Sequence, residues 1–184
     1  MWNSSFWLQI IIGMLSVIPA FFLTRRVAGN IGGFTAGMLI AGSQMFLSRS
    51  LGSDTDLYHI IAPLLLIWLF FEAVDSKSWS RRITFSILAG AATGLASFMW
   101  GVWWYFFDLV IIAIIGYLGY SLIRLLVVKR TFVAAIKNKL FVENVSALLI
   151  FIIASCVFVS LFSGFDSFVN GPLAPLKTTS LLDA

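Results

Sequence analysis

The chain has 184 residues, of which 60% are hydrophobic and only 11% charged, with a mean hydropathy of +1.01. A soluble domain carries roughly 25% charged residues, so a water-soluble core is excluded. Apolar runs of 18 residues or more recur, each long enough to cross a hydrocarbon layer about 30 Å thick. The fold class is therefore all-α, a polytopic transmembrane helical bundle of about six spans in a single transmembrane domain. The formal charge of +4 carries information through its placement rather than its total.

In chain order, a short polar start without a basic n-region argues against a cleaved signal peptide. The first span covers about 6–23 and stops at Thr24-Arg25-Arg26. The second covers 29–48, with Gly29, Gly33, Gly37 and Ala41 on one face, a spacing that lets a neighbouring helix approach closely. The third covers 57–74 and contains Pro63. A polar loop from Asp75 to Arg82 leads to the fourth span, 83–100, which has the same small-residue spacing at Gly90 and Gly94. The block Trp100-Gly101-Val102-Trp103-Trp104-Tyr105-Phe106-Phe107 reads as an interfacial turn, because Trp and Tyr concentrate at membrane–water boundaries. The fifth span covers 107–128 and ends at Lys129-Arg130. Residues 133–139 are basic and interfacial, and the sixth span covers 145–163. The tail, 164–184, is too polar to span. Cys156 lies inside an apolar run and reads as packing.

The basic residues segregate. Ten of the twelve Lys and Arg fall at Arg25, Arg26, Lys77, Arg81, Arg82, Arg124, Lys129, Arg130, Lys137 and Lys139, on one side of a six-span arrangement. Only Arg49 and Lys177 fall on the other. The positive-inside rule then makes this a multi-pass cell-membrane protein. Its N-terminus, the loop at Asp54 and Asp56, the aromatic block and the tail face outward.

One polar connector, Ser48-Arg49-Ser50-Leu51-Gly52-Ser53-Asp54-Thr55-Asp56, puts an arginine and two carboxylates between strongly apolar segments. Asp-x-Asp can direct two carboxylates at one hard cation such as Mg²⁺ or Mn²⁺. A metal held there would neutralise charge on a phosphate leaving group, and Arg49 could bind a phosphate oxygen. The same residues also fit a solvated loop in which Asp56 caps the next helix. His59, one turn into that helix, reads as a further ligand or as an ordinary interfacial histidine. Asp108, just past the aromatic block, is a functional candidate because an acid at that depth is costly unless paired or hydrated. It equally fits the headgroup region. Glu72 and Glu143 sit near basic residues that can pair with them. No P-loop, dinucleotide fingerprint, Ser/His/Asp set or zinc-ligand cluster is present.

The connector, with the following Leu57-Tyr58-His59-Ile60-Ile61-Ala62-Pro63 helix and the Trp-Gly-rich block at Met99–Tyr105, resembles the catalytic subunit of archaeal oligosaccharyltransferase. The resemblance is carried by 6–107; beyond Leu109 it rests on hydropathy. It implies part of a C-type glycosyltransferase membrane domain that moves an oligosaccharide to the Asn of Asn-x-Ser/Thr. The donor implied is a lipid-linked oligosaccharide of the dolichol phosphate or diphosphate type. It further implies Asp54 and Asp56 as ligands of Mg²⁺ or Mn²⁺, Arg49 as the catalytic arginine, and Tyr105 near the lipid carrier. The partners implied are the lipid-linked donor, the acceptor polypeptide and membrane lipid, with no nucleic acid. The family's earlier acidic loop, later metal-binding Glu and soluble Trp-Trp-Asp domain have no counterpart here. The expectation is a fragment inactive alone. Two other readings stay open: another glycosyltransferase using lipid-phosphate sugars, and a non-enzymatic scaffold or transporter bundle.

Overall fold

A computed structural model describes residues 4–44, 46, 56–129 and 137–175. Among them there are helices and no strands: α1 (Ser4–Gly42), α2 (Asp56–Asp75), α3 (Trp79–Met99), α4 (Trp104–Lys129), α5 (Lys139–Ser163) and the short α6 (Phe165–Asn170). Five of these are long and apolar enough to cross a membrane, as expected for an all-α polytopic bundle. The chain forms two compact units, Met1–Trp68 and Leu69–Ala184.

In the first unit α1 is not one rod. Gly29 breaks it with φ 69° and ψ −168°, a conformation that glycine alone adopts without strain. A Cβ placed on Gly37 would lie 3.1 Å from Val17 Cγ1, and one on Gly33 would lie 2.8 Å from the Phe21 carbonyl oxygen. In a straight helix Val17 and Gly37 would stand about 30 Å apart. The segment is therefore a helical hairpin that reverses at Gly29. Its second arm uses the small-residue face to lie against the first. Phe22 stacks on Trp68 of α2, with ring centroids 5.1 Å apart and planes 9° from parallel.

In the second unit α3 and α5 form the densest contact. The buried face of α3 holds Ser86, Ala89, Gly90, Thr93, Gly94 and Ser97, all small, at helical spacing. A Cβ on Gly90 would meet Ala154 Cβ at 2.5 Å, and one on Gly94 would meet Phe158 Cβ at 2.6 Å. Further along, the Ser97 and Ser163 hydroxyls hydrogen-bond at 2.9 Å. At the other end Arg82 Nη2 pairs with Glu143 Oε2 at 3.0 Å, and Lys139 Nζ lies 3.9 Å from Glu143 Oε1. Residue numbers rise together along both helices, so α3 and α5 run parallel, and the chain returns in the opposite direction through α4, which joins them in sequence.

The Arg82 guanidinium is almost fully buried, at 3% exposed. Its Nη2 also donates to the Ser76 carbonyl at 2.6 Å. Burying an arginine is tolerable only with such partners. The expected pairing of Glu143 with nearby cations is what the structure contains. The pair ties the α2–α3 turn to the first turn of α5.

Three helix starts differ from the sequence expectation, the first being α3, which begins at Trp79 rather than 83, inside the expected polar loop. Helix α5 begins at Lys139 rather than near 145, because Asn138 caps it by accepting the Leu140 N–H at 3.0 Å. Helix α4 begins at Trp104, three residues earlier than expected. The aromatic block is indeed a turn, but Trp103 is 2% exposed and is a core residue rather than an interfacial one. It stacks on Phe168 at 6.5 Å and meets Phe107 at 5.7 Å. Phe107 continues to Phe151 at 5.6 Å, and Phe151 to Phe70 at 4.9 Å. This aromatic column closes the second unit, and α6 folds over its end.

Candidate functional site

Of the Asp-x-Asp connector, the structure describes one residue: Asp56 is the first residue of α2. Arg49 and Asp54 lie outside the described residues. A helix start is where a carboxylate is favoured by the unpaired backbone N–H groups and the helix dipole, so the local fold suits Asp56 there in either reading. His59 follows within the same helix and is half-buried. Among the described residues no three His, Cys, Asp or Glu side chains come together as a metal-ligand set. The two carboxylates supply oxygen donors of the type Mg²⁺ and Mn²⁺ prefer, and two protein carboxylates are a usual complement for Mg²⁺ when substrate phosphates and water fill the remaining positions.

The second unit has two chemically different ends. One carries the α2–α3 turn and the start of α5, with Lys77, Arg81, Arg82, Lys137 and Lys139. The opposite end carries the turn at 100–103 and α6; among the described residues of 97–108 and 160–175 it has no Lys or Arg and holds Asp108 and Asp166. The parallel α3–α5 pair thus gathers basic residues from two loops at one end.

At the acidic end lies a groove of about 480 Å³, lined by Trp104, Tyr105, Asp108, Leu109, Ile112, Ala113 and Pro175. Tyr105 is 52% exposed. Its ring meets Phe106 edge-on at 5.3 Å. The structure therefore brings together Tyr105 and Asp108, which the sequence singled out separately. The missed signal was their register. Positions 104, 108 and 112 form one row along the helix, and 105, 109 and 113 the next.

Fold and chemistry define a multi-pass helical membrane protein with an acidic connector between spans. Residues 1–182 match the family described as Oligosaccharyl transferase STT3, N-terminal, and the chain belongs to that family. It is 32% identical over 124 residues to a dolichyl-phosphooligosaccharide-protein glycotransferase of Methanococcus voltae, a match covering 65% of this chain and 14% of that protein. A protein of the same description from Methanocaldococcus jannaschii is 30% identical over 78 residues, covering 41% of this chain and 8% of the relative. A dolichyl-monophosphooligosaccharide–protein glycotransferase of Haloferax volcanii is 26% identical over 110 residues, covering 49% and 10%. The chain thus spans a small part of the length of each relative it matches. No solved structure matches it.

Proposed function

We propose that this chain is part of a membrane glycosyltransferase that moves an oligosaccharide from a lipid-linked phosphate or diphosphate carrier to the Asn of Asn-x-Ser/Thr in an acceptor polypeptide. The observation that carries this reading is the family match, which runs through the Arg49–Asp56 connector. Asp54 and Asp56 hold Mg²⁺ or Mn²⁺ at the start of α2. When bound, the cation offsets the negative charge that develops on the departing phosphate. Arg49 donates to phosphate oxygens, a geometry its planar fork suits. Tyr105 sits near the carrier at the lip of the groove; its half-exposed ring, at the end of the second unit poor in basic residues, supports that assignment. A transporter reading has little support, because the described span centres carry almost no charge. The deciding experiment is transfer of glycan from a lipid-linked donor to a sequon peptide by the full-length protein that contains this segment. Transfer that stops when the acceptor Asn becomes Gln is the expected result. Absence of transfer with donor, metal and sequon all present overturns the reading.

The connector faces the outside of the cell in this proposal. Support comes from the gathering of Lys77, Arg81, Arg82, Lys137 and Lys139 at one end of the second unit, where the positive-inside rule puts the cytoplasm. Single cysteines at Ser53 and Asp166, in a Cys156→Ala background, should react with a membrane-impermeant thiol reagent added outside intact cells. A cysteine at the exposed Ser78 should stay unlabelled until the membrane is opened. Labelling of Ser78 alone reverses the orientation.

A further inference from the structure

The groove along the first turns of α4 has a division of chemistry along its length. Trp104, Tyr105 and Asp108 stand nearest the turn, and Leu109, Ile112 and Ala113 continue one turn deeper along the same face. From Trp104 to Ala113 the helix rises about 13 Å, the depth of a lipid headgroup plus the first carbons of its chains. Asp108 is, among the described residues, the only carboxylate or cation in the lining. Among the described residues no hydrogen bond or ion pair engages its side chain. An ionised carboxylate in so apolar a setting is costly without a countercharge. A hydroxyl-bearing head would hydrogen-bond to it but leave its charge uncompensated, and a purely anionic head would be repelled. Beside it, Trp104 and Tyr105 offer aromatic faces that attract a cation and an N–H and O–H that can donate to a phosphate.

We infer that this groove holds a membrane lipid whose head carries a primary ammonium, a phosphatidylethanolamine-type lipid. Its ammonium lies against Asp108 and Trp104, its phosphate toward the Tyr105 end, and its first acyl carbons along Leu109, Ile112 and Ala113. This goes beyond the glycosyltransferase reading, in which the carrier lies near Tyr105: the two lipids share only that lip of the groove, and competition by an amine-free polyisoprenyl phosphate distinguishes them.

The test uses the chain in phosphatidylglycerol vesicles doped with phosphatidylethanolamine brominated on its upper acyl carbons. Bromine quenches nearby tryptophan, and the Trp104 signal is the difference between the chain and its Trp104→Phe variant. Quenching of that signal should saturate at a low mole fraction of the ethanolamine lipid. Asp108→Asn should raise the half-saturating fraction about tenfold or more, and Asp108→Glu by much less. Helical circular dichroism of both variants should match the parent, which separates lost binding from lost fold. The inference fails if brominated phosphatidylglycerol quenches Trp104 with the same half-saturation. It fails equally if Asp108→Asn leaves the ethanolamine curve in place, or if an amine-free polyisoprenyl phosphate displaces the brominated lipid as well as unlabelled phosphatidylethanolamine does. No donor glycan or acceptor peptide enters the measurement, so its outcome is separate from any loss of transfer.

Discussion

Asp54→Asn and Asp56→Asn, made in the full-length protein that carries this segment, should each slow glycan transfer by about a hundredfold or more. The substitution keeps shape but removes one negative charge, which weakens a hard-cation ligand. If the metal contributes several kcal/mol to stabilising the departing phosphate, losing much of it is a change of that order. The choice of Asn matters because Asp56 opens α2. As the first helical residue it meets the helix dipole, and Asn there forfeits only about 0.3–1 kcal/mol of that interaction. Asp→Asn therefore costs the helix little while it impairs metal binding. Raised Mn²⁺ should restore part of the rate if affinity is the defect. His59→Asn should cost less, since that residue stands outside the motif. Transfer to a sequon peptide, measured against metal concentration for each variant, decides the matter. Near-normal transfer by the double variant at low metal would reduce the connector to a helix cap.

The apolar runs made the membrane bundle legible, because crossing lipid demands about 20 apolar residues whatever they pack against. Gly33 and Gly37 announced a close approach, and the hairpin uses them; Gly29, read on the same face, is instead the turn, with nothing within 4 Å of a Cβ built on it. What the sequence did not carry was partnership. Gly90 and Gly94 marked α3 as a close-packing helix, but nothing in their spacing named Ala154 and Phe158 on a helix two spans later. The start of α5 was misplaced because Lys139, Glu143 and Asn144 look too polar to lie in a span. Pairing with Arg82 makes Glu143 tolerable there. Trp103 was assigned to the interface on residue type alone. In a tight turn adjacent tryptophans face opposite ways, so Trp103 enters the core while Trp104 lines the groove. As for the site, Arg49, Asp54 and Asp56 stand out as the polar connector between apolar spans, their catalytic roles follow from resemblance to a family, and the match over residues 1–182 shows that family. Their role at a metal remains a proposal. Asp108 and Tyr105 stand out in the sequence for separate reasons, and the helix register is what joins them.

The largest effect on folding should come from adding a methyl group where α3 meets α5. At Gly90 a Cβ would lie 2.5 Å from Ala154 Cβ and 2.7 Å from the Ser155 backbone nitrogen. At Gly94 it would lie 2.6 Å from Phe158 Cβ and 2.9 Å from the Phe158 carbonyl carbon. The obstacles are backbone and Cβ atoms, which cannot rotate away as a flexible side chain could. The two helices must separate along their whole contact. In lipid that contact has no hydrophobic driving force behind it and depends on close packing and interhelical hydrogen bonds, including the Ser97–Ser163 bond. Gly90→Ala should therefore destabilise the chain by about 1–3 kcal/mol, and Gly90→Ala with Gly94→Ala by more. Gly116 and Gly119 in α4 provide the control. A Cβ at either meets nothing within 4 Å, so Ala there should be neutral or stabilising by up to about 1 kcal/mol, as expected for helix propensity. Unfolding titrations of the four variants in mixed detergent micelles, followed by circular dichroism, measure the difference. If alanine at Gly90 and at Gly116 shifted the midpoint equally, the close approach of α3 and α5 would not be what holds the second unit together.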